Sequence, residues 1–405
     1  MAAKTYEYTV RDRAGKLASG KLEAPNQTVL VTKLKAMGYA PVSVREAGTG
    51  MSMEITLPFG GGVKLRDLAI MSRQFATMIS SGLSLLRALS ILSEQTDNKA
   101  LAKTLGEVRS DVETGASLSA SLAKHPTVFP PLMINMIRAG EVGGFLDAVL
   151  LQVAENYEAE VKLRGKIKSA MTYPVVVFVI AILAVVGMLL FIVPVFVTMF
   201  ADMGGELPAA TKVLVWLSAA MKVTGVPIVI GIVAGASVWG RIKHLEKVRK
   251  VVDPLLLKAP VFGGLVQKIA LARFARNLGT MMKSGVPILQ ALDIVAETTG
   301  NYVLTKAIHE VQNSVRQGDS LAGPLANHPV FPSMVVQMLA VGEDTGAVDT
   351  MLYKISEFYD QEVEATTEAL TSLIEPLMIA FLGTIIGGMI VALYMPIFGV
   401  FELIE

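Results

Sequence analysis

The sequence predicts a mainly α, polytopic membrane protein with two duplicated cytoplasmic helical bundles, three transmembrane helices and a small α+β N-terminal appendage. Three observations predict this. Apolar runs exceed what a soluble core helix needs, residues 71–174 recur in register further along the chain, and the first residues follow a different pattern from the rest. Of the 405 residues, 52% are hydrophobic and 18% charged, against roughly 25% charged in ordinary soluble domains. Such a chain has ample apolar surface to offset its conformational entropy, which excludes disorder for most of it. A formal net charge of +1 indicates neither nucleic acid nor an anionic membrane as a partner. The absence of cysteine removes disulfides, iron–sulfur clusters, thiolate zinc sites and cysteine nucleophiles together.

Residues 1–46 form the expected appendage. YEYTV, a charged turn around Asp12 and Gly15, and LASGKLEA read as a hairpin. Helix signals run from Asn26 to Met37 and end at Gly38, and PVSVREA reads as a third strand. No apolar stretch follows the first charge, so a cleaved signal peptide is not expected. Residues 47–63, rich in glycine, read as a flexible linker.

The first bundle is expected over 64–172. Leu68, Ser72, Phe75, Met78 and Ile79 recur at helical spacing until Ser81-Gly82 breaks the run. Ser84 is placed to cap a helix carrying Leu85, Leu86, Leu89 and Leu92. A third helix with Leu101, Leu105, Val108 and Val112 stops at Gly115, and a short segment ends at His125-Pro126. Another helix covers Pro131 to Ala139, and glycines 140, 143 and 144 turn the chain into a long helix from Phe145.

The first span is expected over 173–200, with Pro174 suited to an entry turn and Pro194 to a kink or an exit. A periplasmic loop over 201–212 leads to a second span over 213–240, where Lys222 can snorkel to the outer interface. The second bundle is expected over 241–372, the third span over 373–401 and a periplasmic tail over 402–405. Lys162, Arg164, Lys166 and Lys168 precede the first span, and Arg241, Lys243, Lys247, Arg249 and Lys250 follow the second. That bias puts both bundles and the N-terminus in the cytoplasm and the C-terminus outside.

The duplication is the most specific signal. At a constant offset of 203, Thr77, Met78, Ser81, Gly82, Leu86 and Ala88 match Thr280, Met281, Ser284, Gly285, Leu289 and Ala291. Asn98, Gly115, Ser117, His125 and Pro126 match Asn301, Gly318, Ser320, His328 and Pro329. One residue is then lost, and at an offset of 202 Gly140, Glu141, Gly144, Asp147 and Pro174 match Gly342, Glu343, Gly346, Asp349 and Pro376.

The repeated Gly-Glu-x-x-Gly string supplies the candidate functional residues: Glu141, Gly144 and Asp147, with Glu343, Gly346 and Asp349. Three uses stand open. They are a structural one, favoured because acids suit a first helical turn and glycines shape turns; a protein interface; and a cation site. His125 and His328 read as local caps or packed residues rather than ligands. No phosphate loop, His-Glu-x-x-His zinc string or nucleophile elbow occurs, so neither an enzymatic activity nor a cofactor is expected. Lys222 is alone as an intramembrane charge, which weakens a transporter reading.

With these features together, the chain resembles the PilC and type II secretion F family of inner-membrane platform proteins. The resemblance rests on FATMISSGLSLLRAL and HPTVFPPLMINMIRAGEVGGFLDAV, on their partners LGTMMKSGVPILQAL and HPVFPSMVVQMLAVGEDTGAVDTM, and on LKAMGYAP in the appendage. It implies a non-catalytic platform of a type IV pilus in the bacterial inner membrane, with the secretion branch as the alternative and a membrane transporter as the rival of another class. It also implies a homodimer or higher oligomer in the lipid bilayer. The implied partners are cytoplasmic hexameric assembly and retraction ATPases, pilin subunits and other inner-membrane pilus alignment proteins. Glu141, Gly144, Glu343 and Gly346 match the family motif, and contact with the ATPase is an expectation for them.

Overall fold

A computed structural model describes residues 4–11, 17–24, 27–36, 39–46, 62–202, 207–243, 245–260 and 262–402. The turn expected around Asp12 and Gly15, the helix end at Met37 and Gly38, nearly all of the 47–63 linker, residues 203–206 of the 201–212 loop and the last residues of the 402–405 tail lie outside the described residues. The chain divides into two units, Met1–Gly61 and Gly62–Glu405.

In the first unit, strands β1 (Lys4–Arg11), β2 (Leu17–Ala24) and β3 (Ala40–Glu46) form an antiparallel sheet in the order β2-β1-β3. β1 pairs with β2 from Lys4↔Ala24 to Arg11↔Leu17, and its register with β3 shifts between Thr9 and Val10. Helix α1 (Gln27–Ala36) buries Leu30 and Leu34, one turn apart on a single face.

The second unit is helical. Its first copy comprises α2 (Leu65–Ser80), α3 (Leu85–Gln95), α4 (Lys99–Glu113), α5 (Leu118–Ala123), α6 (Pro131–Gly143) and α7 (Leu146–Gly187). A π turn (Met188–Ile192) joins α7 to α8 (Val193–Asp202), and α9 (Ala209–Ile242) returns. There follow α10 (Glu246–Lys258), α11 (Phe262–Lys283), α12 (Ile288–Thr298), α13 (Tyr302–Arg316), α14 (Ala322–Leu325), α15 (Ser333–Thr345) and α16 (Val348–Glu402). α2 packs along α7 as α11 packs along α16.

Local chemistry explains the repeated starts. The Asn98 carboxamide accepts from the Ala100 and Leu101 N–H groups, and Asn301 accepts from those of Val303 and Leu304. Each therefore satisfies two of the donors that a helix leaves unpaired at its start. Ser117 and Ser320 likewise accept from the N–H groups three residues on. Ser84 does not cap: it holds the N-cap position of α3 without a side-chain bond, and its counterpart before α12 is Pro287. Of the three glycines expected to turn the chain, Gly140 and Gly143 lie inside α6, which runs four residues beyond Ala139; Gly144 alone is left-handed.

One hydrophobic cluster draws on both copies, including Phe75, Leu89, Leu105 and Phe129 from the first and Phe274, Leu292, Ile308 and Phe331 from the second. Leu146–Phe200, Ala209–Ile242 and Val348–Pro396 are long and apolar enough to cross a membrane. Pro174 makes no entry turn. It lies within unbroken α7, as Pro376 lies within α16, because neighbouring helices and small local adjustments let proline persist in spanning helices. Pro194 neither ends the helix nor breaks it. The π turn before it sends the Val193 N–H to the Met188 carbonyl, five residues back, and so leaves the Leu189 carbonyl opposite a proline that has no N–H to give. Ser218 of α9 donates its hydroxyl to that carbonyl at 2.6 Å, and Thr211 donates to the Ala392 carbonyl at 2.6 Å.

Candidate functional site

The two Gly-Glu-x-x-Gly strings build the same brace twice. In the first copy, Glu141 near the end of α6 accepts from the N–H of Leu118 at 2.5 Å and of Ser119 at 3.0 Å, so its carboxylate sits on the start of α5. In the second, Glu343 accepts from the N–H of Leu321 and, at 2.9 Å, of Ala322 at the start of α14. A helix start carries unpaired donors and partial positive charge, and a carboxylate answers both. Gly144 and Gly346 end α6 and α15 at φ of 75° and 70°, a left-handed conformation that costs glycine little.

The preceding glycines serve a different need. A Cβ on Gly140 would lie 3.0 Å from Val149, and one on Gly342 would lie 3.0 Å from the Val348 Cα. Glycine there lets each helix fold back closely on the long helix that follows. Asp147 is exposed in the first turn of α7, and Asp349 is half-buried in that of α16. The structure thus gathers Glu141 and Gly144 in one brace and Glu343 and Gly346 in the other. No hydrogen bond or ion pair among the described residues links Glu141 to Glu343, or either to the two aspartates. Among the described residues, no group of three or more His, Asp and Glu side chains could hold a metal ion.

The histidines repeat a local arrangement. His125 lies 3.7 Å from Glu107, which is 3.8 Å from Lys103; His328 lies 3.5 Å from Glu310, which is 3.7 Å from Lys306. All three positions keep the offset of 203.

A polar seam between the copies went unread in the sequence. Asn156 of α7 donates to the Asn277 carboxamide oxygen of α11 at 3.1 Å, and Ser284 donates to Gln152. Glu160 of α7 pairs with Arg273 at 2.7 Å and lies 3.7 Å from Arg276, which also forks onto Asp360 of α16. Burial works to raise the Glu160 pKa, but Arg273 and Arg164 outweigh it and hold the carboxyl below its usual range. The first copy has the matching pair, Arg73 with Glu158, joined by two 2.6 Å hydrogen bonds. The bond to Arg73 holds Glu158 low in the same way. Arg73 and Arg276 differ by the repeat offset of 203, and Glu158 and Asp360 by 202; that register was the available signal. Beside the seam lies a cleft of about 420 Å³ whose lining includes Asn156, Arg276, Thr280, Asp349 and Tyr353.

Comparison with known proteins follows the same division of the chain. The family model "Type II secretion system (T2SS), protein F" matches residues 71–194 and 274–396, and the model of that protein's N-terminal domain matches 1–45. The type IV pilus assembly protein PilC of Myxococcus xanthus is 43% identical, covering 98% of this chain and 95% of that protein. PilC of Thermus thermophilus is 43% identical over 97% of each. The type II secretion system protein F of Pseudomonas aeruginosa is 33% identical over 98% of this chain and 99% of its own length.

Proposed function

Because the chain belongs to the type II secretion system protein F family, we propose that it is the inner-membrane platform of a type IV pilus machine, coupling a cytoplasmic assembly or retraction ATPase to the insertion or removal of pilins at the fibre base. The observation that carries this reading is the gap between 43% identity to pilus assembly proteins and 33% to a secretion protein, each across nearly the whole chain. The role is mechanical rather than catalytic. Both bundles and the N-terminal appendage face the cytoplasm, where the lysines and arginines flanking the first two spans favour them. The C-terminus then lies on the periplasmic side.

The fold suits a platform. α7 and α16 each begin at a Gly-Glu-x-x-Gly brace and continue without interruption into an apolar run. Whatever engages the ends of the bundles acts on the same helices that enter the lipid. Pilins meet the spanning segments, and the ATPase and alignment proteins meet the cytoplasmic body, which assembles as a dimer or higher oligomer. Glu141 and Glu343 act in this scheme by fixing the surface that a partner meets, with Gly144, Gly346, Asp147 and Asp349 around it.

Deleting the gene and scoring surface pili and protein secretion side by side tests the assignment. Loss of pili with secretion intact is expected, and plasmid-borne protein should restore them. Intact pili with lost secretion would move the chain to the secretion branch.

A further inference from the structure

Helix α10 turns one apolar row outward, while the side facing its own copy mixes charge with half-buried Val248, Val252 and Leu257. Its inward side carries charge: Asp253 accepts from the Tyr302 N–H at the start of α13 at 2.7 Å, and Arg249 lies 3.5 Å from Asp253. Lys250 stands 5.5 Å over the Tyr302 ring. The backbone approach to α11 is close enough that a Cβ on Gly263 would lie 2.2 Å from the Leu257 carbonyl oxygen. These contacts fix the rotation of the helix about its axis. They turn outward Val251, 61% exposed, and Leu255, 64% exposed, one turn apart on one stripe. Lys247 and Lys258 continue that row at its two ends and are exposed, and Leu245 precedes the helix with 56% of its surface open. Among the described residues, no carboxylate pairs with Arg241, Lys243, Lys247 or Lys258.

Two further features say what covers this face. α9, one of the three helices long and apolar enough to span, ends at Ile242, and α10 starts at Glu246. The start of α10 is therefore held within about 10–15 Å of the end of α9. An apolar stripe bounded by lysines is also the pattern of a helix that lies in the headgroup region, with its apolar side chains in the acyl boundary and its amines among anionic phosphates. We propose that α10 is a membrane-surface helix, with Val251 and Leu255 inserted into the anionic leaflet from which α9 emerges and Lys247 and Lys258 at the phosphate level. The proposal rests on α9 crossing the bilayer and not on the pilus assignment. Its consequence is that the second copy is moored to the membrane by the flank of the bundle as well as by its spans.

The cysteine-free chain allows single spin labels at V251C, L255C and, as a control away from the stripe, E246C. The full-length protein in nanodiscs of mixed phosphatidylcholine and phosphatidylglycerol is measured by power saturation with oxygen and a water-soluble nickel chelate. Oxygen collisions should exceed nickel collisions several-fold at 251 and 255, with the order reversed at 246. Nickel-favoured collisions at 251 and 255 would place the helix in water and overturn the proposal. Weak collisions with both reagents would mean that a second protein surface covers the stripe, which overturns it as well. A Lys247→Gln/Lys258→Gln variant should reduce the oxygen preference at 251, and so should pure phosphatidylcholine. Equal values in both lipids would refute the anionic-leaflet part.

Discussion

Replacing Glu141 or Glu343 by alanine separates the brace from a direct partner contact. In Glu141→Ala, the N–H groups of Leu118 and Ser119 lose a carboxylate bound at 2.5 and 3.0 Å. Hydrogen bonds to charged groups are worth about 1.5–3 kcal/mol each when buried, and N-cap losses run about 0.5–2 kcal/mol. Glu141 is half-buried, so water recovers part of the loss, and about 1–2 kcal/mol is expected locally. α5 has only six residues and little helical stability of its own. The loss should therefore concentrate there. Amide exchange at Leu118 to Ala123 should quicken by about 5- to 30-fold, the factor equivalent to 1–2 kcal/mol. Glu343→Ala should do the same at α14, whereas the exchange of α2 and α11 should hold. Hydrogen exchange with mass spectrometry on the full chain in nanodiscs reads this directly. Exchange unchanged at α5 and α14 in the two variants, with ATPase co-purification abolished, would refute the bracing argument and leave both carboxylates as contact residues.

Ser218→Ala removes the hydroxyl that answers the Leu189 carbonyl. Intramembrane hydrogen bonds average about 0.6 kcal/mol and reach about 1.7, so a loss of about 1 kcal/mol is expected in detergent unfolding. Pro194→Ala restores a backbone donor beside that carbonyl, and Ser218→Ala should then cost markedly less; strict additivity in the double-mutant cycle would remove the π-turn explanation. Acid should act on the two lowered carboxylates. Glu158 and Glu160 have lowered folded-state pKa values, so their contribution is present above the usual carboxylate range and is lost as pH falls through the depressed values. The melting temperature should drop on acidification below about pH 4, and Arg73→Gln together with Arg273→Gln should flatten that fall. An unaltered pH profile in the double variant would contradict it.

The repeat made much of this fold legible, because periodic leucines mark helix faces and glycines such as Gly82 and Gly115 mark helix ends; that Asn98 and Asn301 cap helix starts was not read from their shared register. Ser84 misled in the converse way: its residue type suits a cap, but the hydroxyl makes no such bond and the helix is held by packing instead. The prolines misled because a composition signal says only that an N–H is missing. Whether the missing bond produces a turn, a π turn or nothing visible depends on a donor such as Ser218, far along the chain. The Gly-Glu-x-x-Gly residues could be picked out as a set, but not their geometry, since the donors that Glu141 meets lie more than twenty residues earlier. The α10 stripe was hidden for another reason. Val251 and Leu255 resemble the inward face of any amphipathic helix until Asp253 and Arg249 are seen to face the bundle in their place.

The duplicated arginines show how two copies of one unit become one body. Arg73 and Glu158 make a partly exposed pair inside the first copy, with 37% and 44% of their side chains open, where an ion pair contributes little. The equivalent Arg276 is 8% exposed and reaches both Asp360 of its own copy and Glu160 of the other. One position thus holds a bundle together in the first copy and joins the two bundles in the second. Lys166 and Glu364 add a tie between α7 and α16 nearer the apolar runs. With the hydrophobic cluster also shared, sliding one copy past the other would break the Glu160 pairs with Arg273 and Arg276 together with the buried Asn156–Asn277 bond. A push at either Gly-Glu-x-x-Gly brace therefore moves both copies together. From Leu146 to the start of the apolar run at 173, α7 spans about 40 Å as one unbroken helix, so the first brace and the first span are two ends of a single element.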